Sequence, residues 1–311
     1  MGALFSETFL TALLSGAVIS AVPLILAALG EQFSERAGVL NIGLEGMMLG
    51  GAYAGFAATL AGAGIWGGMF AALLCGACIG LIMAVLCVRL GMNQIIIGIA
   101  ITLGVTGLTA LMHNVYFART YPRLDAAPTI ALPGLSDLPV LGGAVFTAHP
   151  LTWLALLAPL GFALIYRKTY LGLDLAAAGE RPDALDSVGV NVTAIRTSAV
   201  CVCGAMAGLG GGFMAVIGSG IFVPHMTGGA GYIAIVLAML ARARPLWVLG
   251  GGLLFGLCLS ATTALQVGGI EIPTDIIQML PFVAVMIVLI LFGRNARMPA
   301  MLGQAYRRGT R

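Results

Sequence analysis

Nine long apolar runs occupy most of this chain, and they constrain its fold more than any other feature of the sequence. A helix needs roughly 20 apolar residues to cross the hydrocarbon core of a bilayer. The runs are Phe5 to Leu29, Leu44 to Leu60, Ile65 to Val88, Gln94 to Met112, Leu151 to Tyr166, Val192 to Ile217, Tyr232 to Leu240, Trp247 to Val267 and Ile276 to Phe292. Only 9% of the residues are charged, whereas a soluble domain carries about 25%. The sequence therefore predicts an all-α fold: one polytopic transmembrane helical bundle over residues 1–311, with about nine spans and a broken or re-entrant segment most expected around 38–48.

The distribution of basic residues predicts the orientation of the bundle. Loops on the cytoplasmic side of a membrane are enriched in Lys and Arg. Nine alternating crossings put most of the basic residues on one side: Arg36, Arg89, Arg167, Lys168, Arg181, Arg196, Arg242, Arg244, Arg294, Arg297, Arg307, Arg308 and Arg311. The other side keeps Arg119 and Arg123, in an external loop of about residues 113–150. We expect an N-terminus outside, a cytoplasmic C-terminus and a multi-pass location in the cytoplasmic (inner) membrane.

Glycines recur four residues apart in several of the runs. Gly204, Gly208 and Gly212 form one such ridge, and Gly76 and Gly80 form another. Small residues at this spacing let helix backbones approach closely within a membrane. The pattern indicates a compact bundle, and packing within the chain is favoured over a dedicated seam between two chains.

A polar loop of about residues 167–191 separates two of the runs and predicts a short surface helix. Pro182 suits the first helical position, and Gly189 suits the residue just after the helix end. Ala184, Leu185 and Val188 would then share one apolar face. This face is typical either of a connector resting on the membrane or of a helix that docks on a protein. Acidic residues in the loop favour the protein partner, because the inner leaflet is anionic.

The segment "LGLDLAAAGERPDALDSVGVNV" resembles the cytoplasmic loop of permeases from binding-protein-dependent ABC importers of simple sugars and nucleosides. The resemblance continues through "CGAMAGLGGGFMAV" and "GGAGYIAIVLAMLARARPLWVLGGGLLFG" and covers nearly the whole chain. In that family the loop holds a coupling helix that contacts the ATPase subunit. The resemblance implies a coupling role for the matching residues Gly179, Glu180, Pro182, Ala184, Gly189 and Val190. We expect the coupling site to include their neighbours in the same loop, Arg181, Asp183, Leu185 and Val188.

The early segment "ERAGVLNIGLEGMMLGGAYAG" is closer to the nucleoside branch of that family than to its sugar branch. The apolar runs also hold no counterpart of the extra first helix of the sugar permeases, so we expect that helix to be absent. The resemblance therefore implies a permease that forms the path for a small polar solute, favouring a nucleoside or nucleobase over a simple sugar. It implies as partners a second, different permease chain, an extracytoplasmic substrate-binding protein and membrane lipid, but no nucleic acid.

The chain has no G-x-x-x-x-G-K-[ST] sequence, so it lacks the usual phosphate-binding loop of an ATPase. We therefore expect no enzymatic activity and no cofactor on this chain, with ATP and Mg²⁺ held by a separate ATPase subunit. The three histidines are scattered and the cysteines stand in apolar runs, so no metal site is predicted either.

Candidate residues of the solute path are the polar and aromatic side chains in or beside the spans. Glu45 is notable because a carboxylate within a membrane is costly and usually functional. Its alternative role is at the interface or at a helix N-terminus, where negative charge is favoured. The further candidates, each of which could instead serve helix packing, are Asn41, Asn93, Gln94, Phe213 and Phe222.

Three other classes of protein compete with an importer permease. An ion-coupled secondary transporter would use a membrane-embedded carboxylate, and Glu45 is the candidate for it. A membrane enzyme would need clustered catalytic groups, which the sequence does not show. A passive channel would need a filter-like motif, and none is recognisable in the sequence.

Overall fold

The computed structural model describes residues 7–118, 120–267 and 298–306, together with positions 279, 283, 286, 287 and 290. The helices are α1 (Glu7–Arg36), α2 (Leu44–Ala58), α3 (Gly64–Ala84), α4 (Gln94–Phe117), α5 (Pro150–Lys168), α6 (Tyr170–Glu180), α7 (Pro182–Ser187), α8 (Val192–Gly212), α9 (Ala230–Leu240) and α10 (Pro245–Val267). Turns of π-helix extend α2, α3 and α8 to Ala63, Arg89 and Gly218. Two-residue strands, β1 (Ile130–Ala131) and β2 (Thr147–Ala148), pair antiparallel in the loop after α4.

The bundle is built around α1 and α8, which are the most buried of the long helices. Gly30 of α1 lies against Cys203 of α8, and Gly210 of α8 lies against Pro23, so the two helices are antiparallel. A side chain on Gly76 of α3 would overlap the backbone at Gly204 and Gly208 of α8. The predicted glycine ridges are therefore confirmed as contacts within the chain.

Five stretches of helix in the described residues are long and apolar enough to span a membrane. One of them, Leu44–Arg89, is 46 residues long and is a hairpin of α2 and α3. Gly62 and Gly64 have φ values of 94° and 68° there, a backbone conformation that glycine adopts without strain. Gly55 lies beside Ala72, and Gly50 lies beside Ile79, as expected for antiparallel partners.

The predicted count of nine spans is not confirmed. Eight of the nine predicted runs coincide with described helices, and the ninth, Ile276 to Phe292, lies almost wholly outside the described residues. The run Tyr232 to Leu240 is part of α9, which has 11 residues. At 1.5 Å per residue α9 is about 16 Å long, roughly half of a hydrocarbon core. The prediction that this run crosses by itself was wrong.

Two non-helical segments enter the bundle. Residues 37–43 connect α1 to α2 and are largely buried, which confirms the break expected around 38–48. Residues 219–229, which we call the re-entrant segment, lead from the end of α8 back to the start of α9. Gly231, at the start of α9, lies against the backbone of Glu45, inside the bundle.

The loop of residues 167–191 marks one end of the bundle, which we call the loop end; the other is the far end. The loop end also holds the last residues of α1, the turn between α9 and α10, and residues 298–306. Basic side chains from separate loops meet there, since Arg36, Arg167 and Arg244 line one cavity. Glu7 and Tyr306 lie at opposite ends, because α1 begins at the far end and Tyr306 packs near Leu185.

Candidate functional site

Glu45 holds the N-terminus of α9 in the middle of the bundle. Its carboxylate accepts hydrogen bonds from the hydroxyl of Thr227 at 2.6 Å, the amide of Gly229 at 2.9 Å and the amide of Gly231 at 2.6 Å. The amides of a first helical turn have no partners within their own helix, and the helix dipole favours an anion there. Glu45 is therefore a helix cap, as the alternative interpretation of the sequence proposed, although the helix is α9 rather than its own.

The depth of this cap follows from the length of α9. The other end of α9 reaches the cavity lined by Arg36 and Arg242 at the loop end. Because α9 is about 16 Å long, Glu45 lies near the midplane of a layer about 30 Å thick. A short helix with a non-helical lead-in at this depth is tolerated in a membrane only where protein or a water-filled cavity surrounds it.

Three of the predicted path residues, Asn41, Asn93 and Gln94, lie at or near the connection of residues 37–43. Gln94 accepts a hydrogen bond from the amide of Leu40 at 2.8 Å, and the amide of Asn41 donates to Glu31 at 2.9 Å. Asn93 is exposed and caps α4 by accepting from the amides of Ile95 and Ile96. In this structure these contacts favour structural roles for Asn93 and Gln94.

Two carboxylates in α1 were missed by sequence reasoning. Glu31 and Glu35 are one turn apart and buried, and Gln32 between them is 1% exposed with both amide atoms unpartnered. The predicted first span ends at Leu29, whereas α1 continues to Arg36 and carries both carboxylates. Like charges at i, i+4 destabilise an isolated helix, so the spacing of the two glutamates did not signal that one helix continues through them.

The two predicted aromatic residues lie in different places. Phe213 packs in an apolar cluster with Val22 and Met69. Phe222, in the re-entrant segment, contacts the ring of Tyr53 with centroids 5.1 Å apart and that of His113 at 5.6 Å. Only Phe222 therefore belongs to a group of aromatic and polar side chains.

The loop at the loop end forms two helices, α6 and α7. The predicted surface helix is confirmed as α7, with Pro182 at its start and Gly189 just beyond its end at φ 87°. Helix α6 was not foreseen. The expected apolar docking face is wrong at Leu185, which is 5% exposed and packs with Ala178 and Val192, whereas Val188 is 73% exposed.

The loop has a buried side, which packs against the rest of the bundle, and an exposed side, which carries mostly polar residues. Gly179 and Pro182 are buried, and the carbonyl of Gly179 accepts a hydrogen bond from the amide of Met301 at 3.0 Å. Within residues 180–189 the exposed residues are Glu180, Arg181, Asp183, Ala184, Ser187, Val188 and Gly189. We call this set the loop face.

Comparison with known proteins matches residues 13–291 to the family described as "Branched-chain amino acid transport system / permease component". The match covers most of the chain, including the Glu45 cap, the loop face and the re-entrant segment. This chain belongs to that permease family.

Three relatives of the permease have been named for nucleosides or glucose. The nucleoside ABC transporter permease protein NupC of Lactococcus lactis is 34% identical, over 93% of this chain and 94% of its own. The guanosine ABC transporter permease protein NupQ of Bacillus subtilis is 32% identical, over 97% and 98%. A protein of Haloferax volcanii, provisionally named the glucose ABC transporter permease protein TsgC13, is 40% identical over 80% and 76%. The chain is thus a membrane permease of the ABC transporter type.

The C-terminal residues of the permease brace its loop. Arg196 is 2% exposed, and its guanidinium donates to the carbonyl of Ala178 at 2.9 Å and to that of Gln304 at 2.7 Å. The amide of Gly303 donates to the carbonyl of Gly38 at 3.1 Å. Residues 298–306, which we call the tail, therefore tie α6 to α8 and to the end of α1.

Proposed function

We propose that this permease forms the path by which a nucleoside or nucleobase enters the cell in an ATP-driven importer. The observation that carries the proposal is the near full-length likeness to two permeases named for nucleosides and guanosine. ATP hydrolysis takes place on a separate ATPase subunit, and an extracytoplasmic binding protein delivers the cargo. A second permease chain completes the path.

The Glu45 cap supports an uncharged cargo. In transporters with broken helices, the N-terminus of a half-helix is a ready site for an anionic group of the substrate. Here Glu45 occupies that position at α9 with three hydrogen bonds. A free amino acid would bring a second carboxylate to an end that already holds one. Nucleosides and simple sugars carry no such charge at neutral pH.

The loop face is the proposed docking site for the ATPase. It offers an exposed apolar residue, Val188, beside the charged residues Glu180, Arg181 and Asp183. The buried residues Gly179, Pro182 and Leu185 fix the position of α7, so they contribute to docking only indirectly. This face lies on the cytoplasmic side, together with the basic residues of the loop end.

A simple sugar is the second candidate cargo, because TsgC13 is 40% identical over 80% of this chain. Isolation of the whole complex, with its binding protein, followed by reconstitution into liposomes separates the two. With ATP inside, we expect uptake of labelled adenosine or uridine and none of labelled glucose. Uptake of glucose alone would replace the nucleoside proposal, and uptake that needs an ion gradient but no ATP would contradict the importer itself.

A further inference from the structure

His113 is a buried histidine whose ring nitrogens have no hydrogen-bond partner among the residues that the structure describes. It lies in α4, is 2% exposed, and neither Nδ1 nor Nε2 makes a hydrogen bond. Buried polar groups in proteins nearly always have a hydrogen-bond partner, so an exception needs an explanation. The apolar run before His113 ends at Met112, so the sequence pattern places this histidine in the external loop rather than in a buried helix.

Aromatic rings surround His113. Its ring centroid is 5.2 Å from that of Tyr121, with the planes at 25°, and 5.3 Å and 5.6 Å from those of Phe117 and Phe222. Tyr53 and Phe56 of α2 continue the group through Phe222 and Phe117. We call these six residues the aromatic cluster.

The aromatic cluster lies between Glu45 and the far end. Thr102 of α4 is level with Glu45, since its backbone lies against Gly46. His113 comes eleven residues later in the same helix, about 16 Å farther along the axis. Phe222 is in the re-entrant segment, which ends at the Glu45 cap. The cluster therefore lies on the far-end side of the Glu45 cap.

Exposure across the cluster is graded. Phe56 and Phe222 are fully buried, Tyr53 and Phe117 are half-buried, and Tyr121 in the loop after α4 is 52% exposed. Tyr121 stacks on His113 from the side that faces the loop. Tyr121 is therefore the most exposed of the rings that contact His113.

We propose that His113 and the aromatic cluster bind the heterocyclic base of the cargo at the far end of the path. Neutral imidazole has one donor and one acceptor nitrogen, and the edge of a nucleobase offers both kinds of group. Every base also has a π-face on which aromatic side chains stack. This assignment rests on the proposed function, because it requires a cargo that contains a base.

The test is His113→Phe in the complete, reconstituted complex. Phenylalanine keeps an aromatic ring and removes two unsatisfied polar atoms, so a histidine that served packing alone would be replaced without loss of stability. We expect adenosine and uridine uptake to fall roughly tenfold or more, while the melting temperature stays unchanged or rises. His113→Gln, which keeps a donor and an acceptor, should lose less. Asn114→Ala, at an exposed neighbour on the same turn, is the matched control.

Unchanged nucleoside uptake by His113→Phe would overturn this assignment and leave the proposed function standing. A wild-type complex that carries glucose and no nucleoside would instead refute the proposed function and this assignment with it. A second measurement does not depend on any variant folding. Photolabelling of the wild-type complex with 8-azidoadenosine should mark peptides that contain Tyr53, His113 or Tyr121, and unlabelled adenosine should prevent it. Labelling confined to other peptides would also overturn the assignment.

Discussion

The carboxylate of Glu45 accepts three hydrogen bonds. A substitution that keeps its shape and removes its charge therefore tests whether the charge holds α9 in place. In Glu45→Gln the amide nitrogen would face a hydroxyl or backbone donor, and the dipole of α9 would lose its anion. We expect the substitution to cost about 2 kcal/mol, which corresponds to a roughly thirtyfold shift in the equilibrium constant between α9 in place and α9 displaced. ATP-driven uptake in liposomes and the melting temperature of the complex should both fall.

The control is Glu7→Gln, because Glu7 is exposed at the far end. It should leave both measurements unchanged. A Glu45→Gln complex with normal stability and normal uptake would show that the carboxylate is dispensable as a cap.

Val188 and Leu185 are three residues apart in sequence, but Val188 is exposed on the loop face whereas Leu185 is packed behind it. Val188→Asp places a charge on the exposed loop face, so we expect loss of ATPase co-purification from a permease that still folds. Leu185→Asp places an unpaired charge among Ala178, Val192 and Tyr306, which should cost several kcal/mol and reduce the amount of folded permease in the membrane. Gel filtration in detergent separates the two results. Equal behaviour of the two variants would contradict the assignment of surfaces.

At the scale of elements, the tail is expected to hold α6 and α7 in position. Truncation after Arg297 removes the residues that hydrogen-bond to the carbonyls of Gly179 and Gly38. It also removes one of the two carbonyls to which Arg196 donates. We expect faster hydrogen exchange in residues 175–190 of the purified permease, and weaker ATPase association. Truncation after Tyr306 keeps these contacts and is the matched control. Unchanged exchange after the longer truncation would show that α6 and α7 hold their position unaided.

The sequence predicted most elements because membrane helices must satisfy their own backbone groups, so apolar runs and helices coincide. Pro182 and Gly189 likewise predicted α7, since both act through local backbone geometry. Leu185 was misassigned because its burial depends on Val192 and on Tyr306, which is 121 residues away in sequence. Glu45 was recognised as notable, but its donors at 227–231 depend on a re-entrant path that no local pattern encodes.

At the scale of the whole molecule, the positions of the two chain ends predict its orientation. Helix α1 begins with Glu7 at the far end, whereas Tyr306 packs at the loop end beside the basic residues. An excess of Arg and Lys marks the cytoplasmic side, so the loop end should face the cytoplasm and the N-terminus the outside.

Green fluorescent protein fused after Arg311 should fluoresce, and alkaline phosphatase inserted at Gly134, in the far-end loop, should be active. The reciprocal fusions serve as controls: phosphatase after Arg311 and fluorescent protein at Gly134 should both be silent. Activity of phosphatase after Arg311 would reverse the orientation, and with it the assignment of the loop face to an ATPase, because ATP is available only inside the cell.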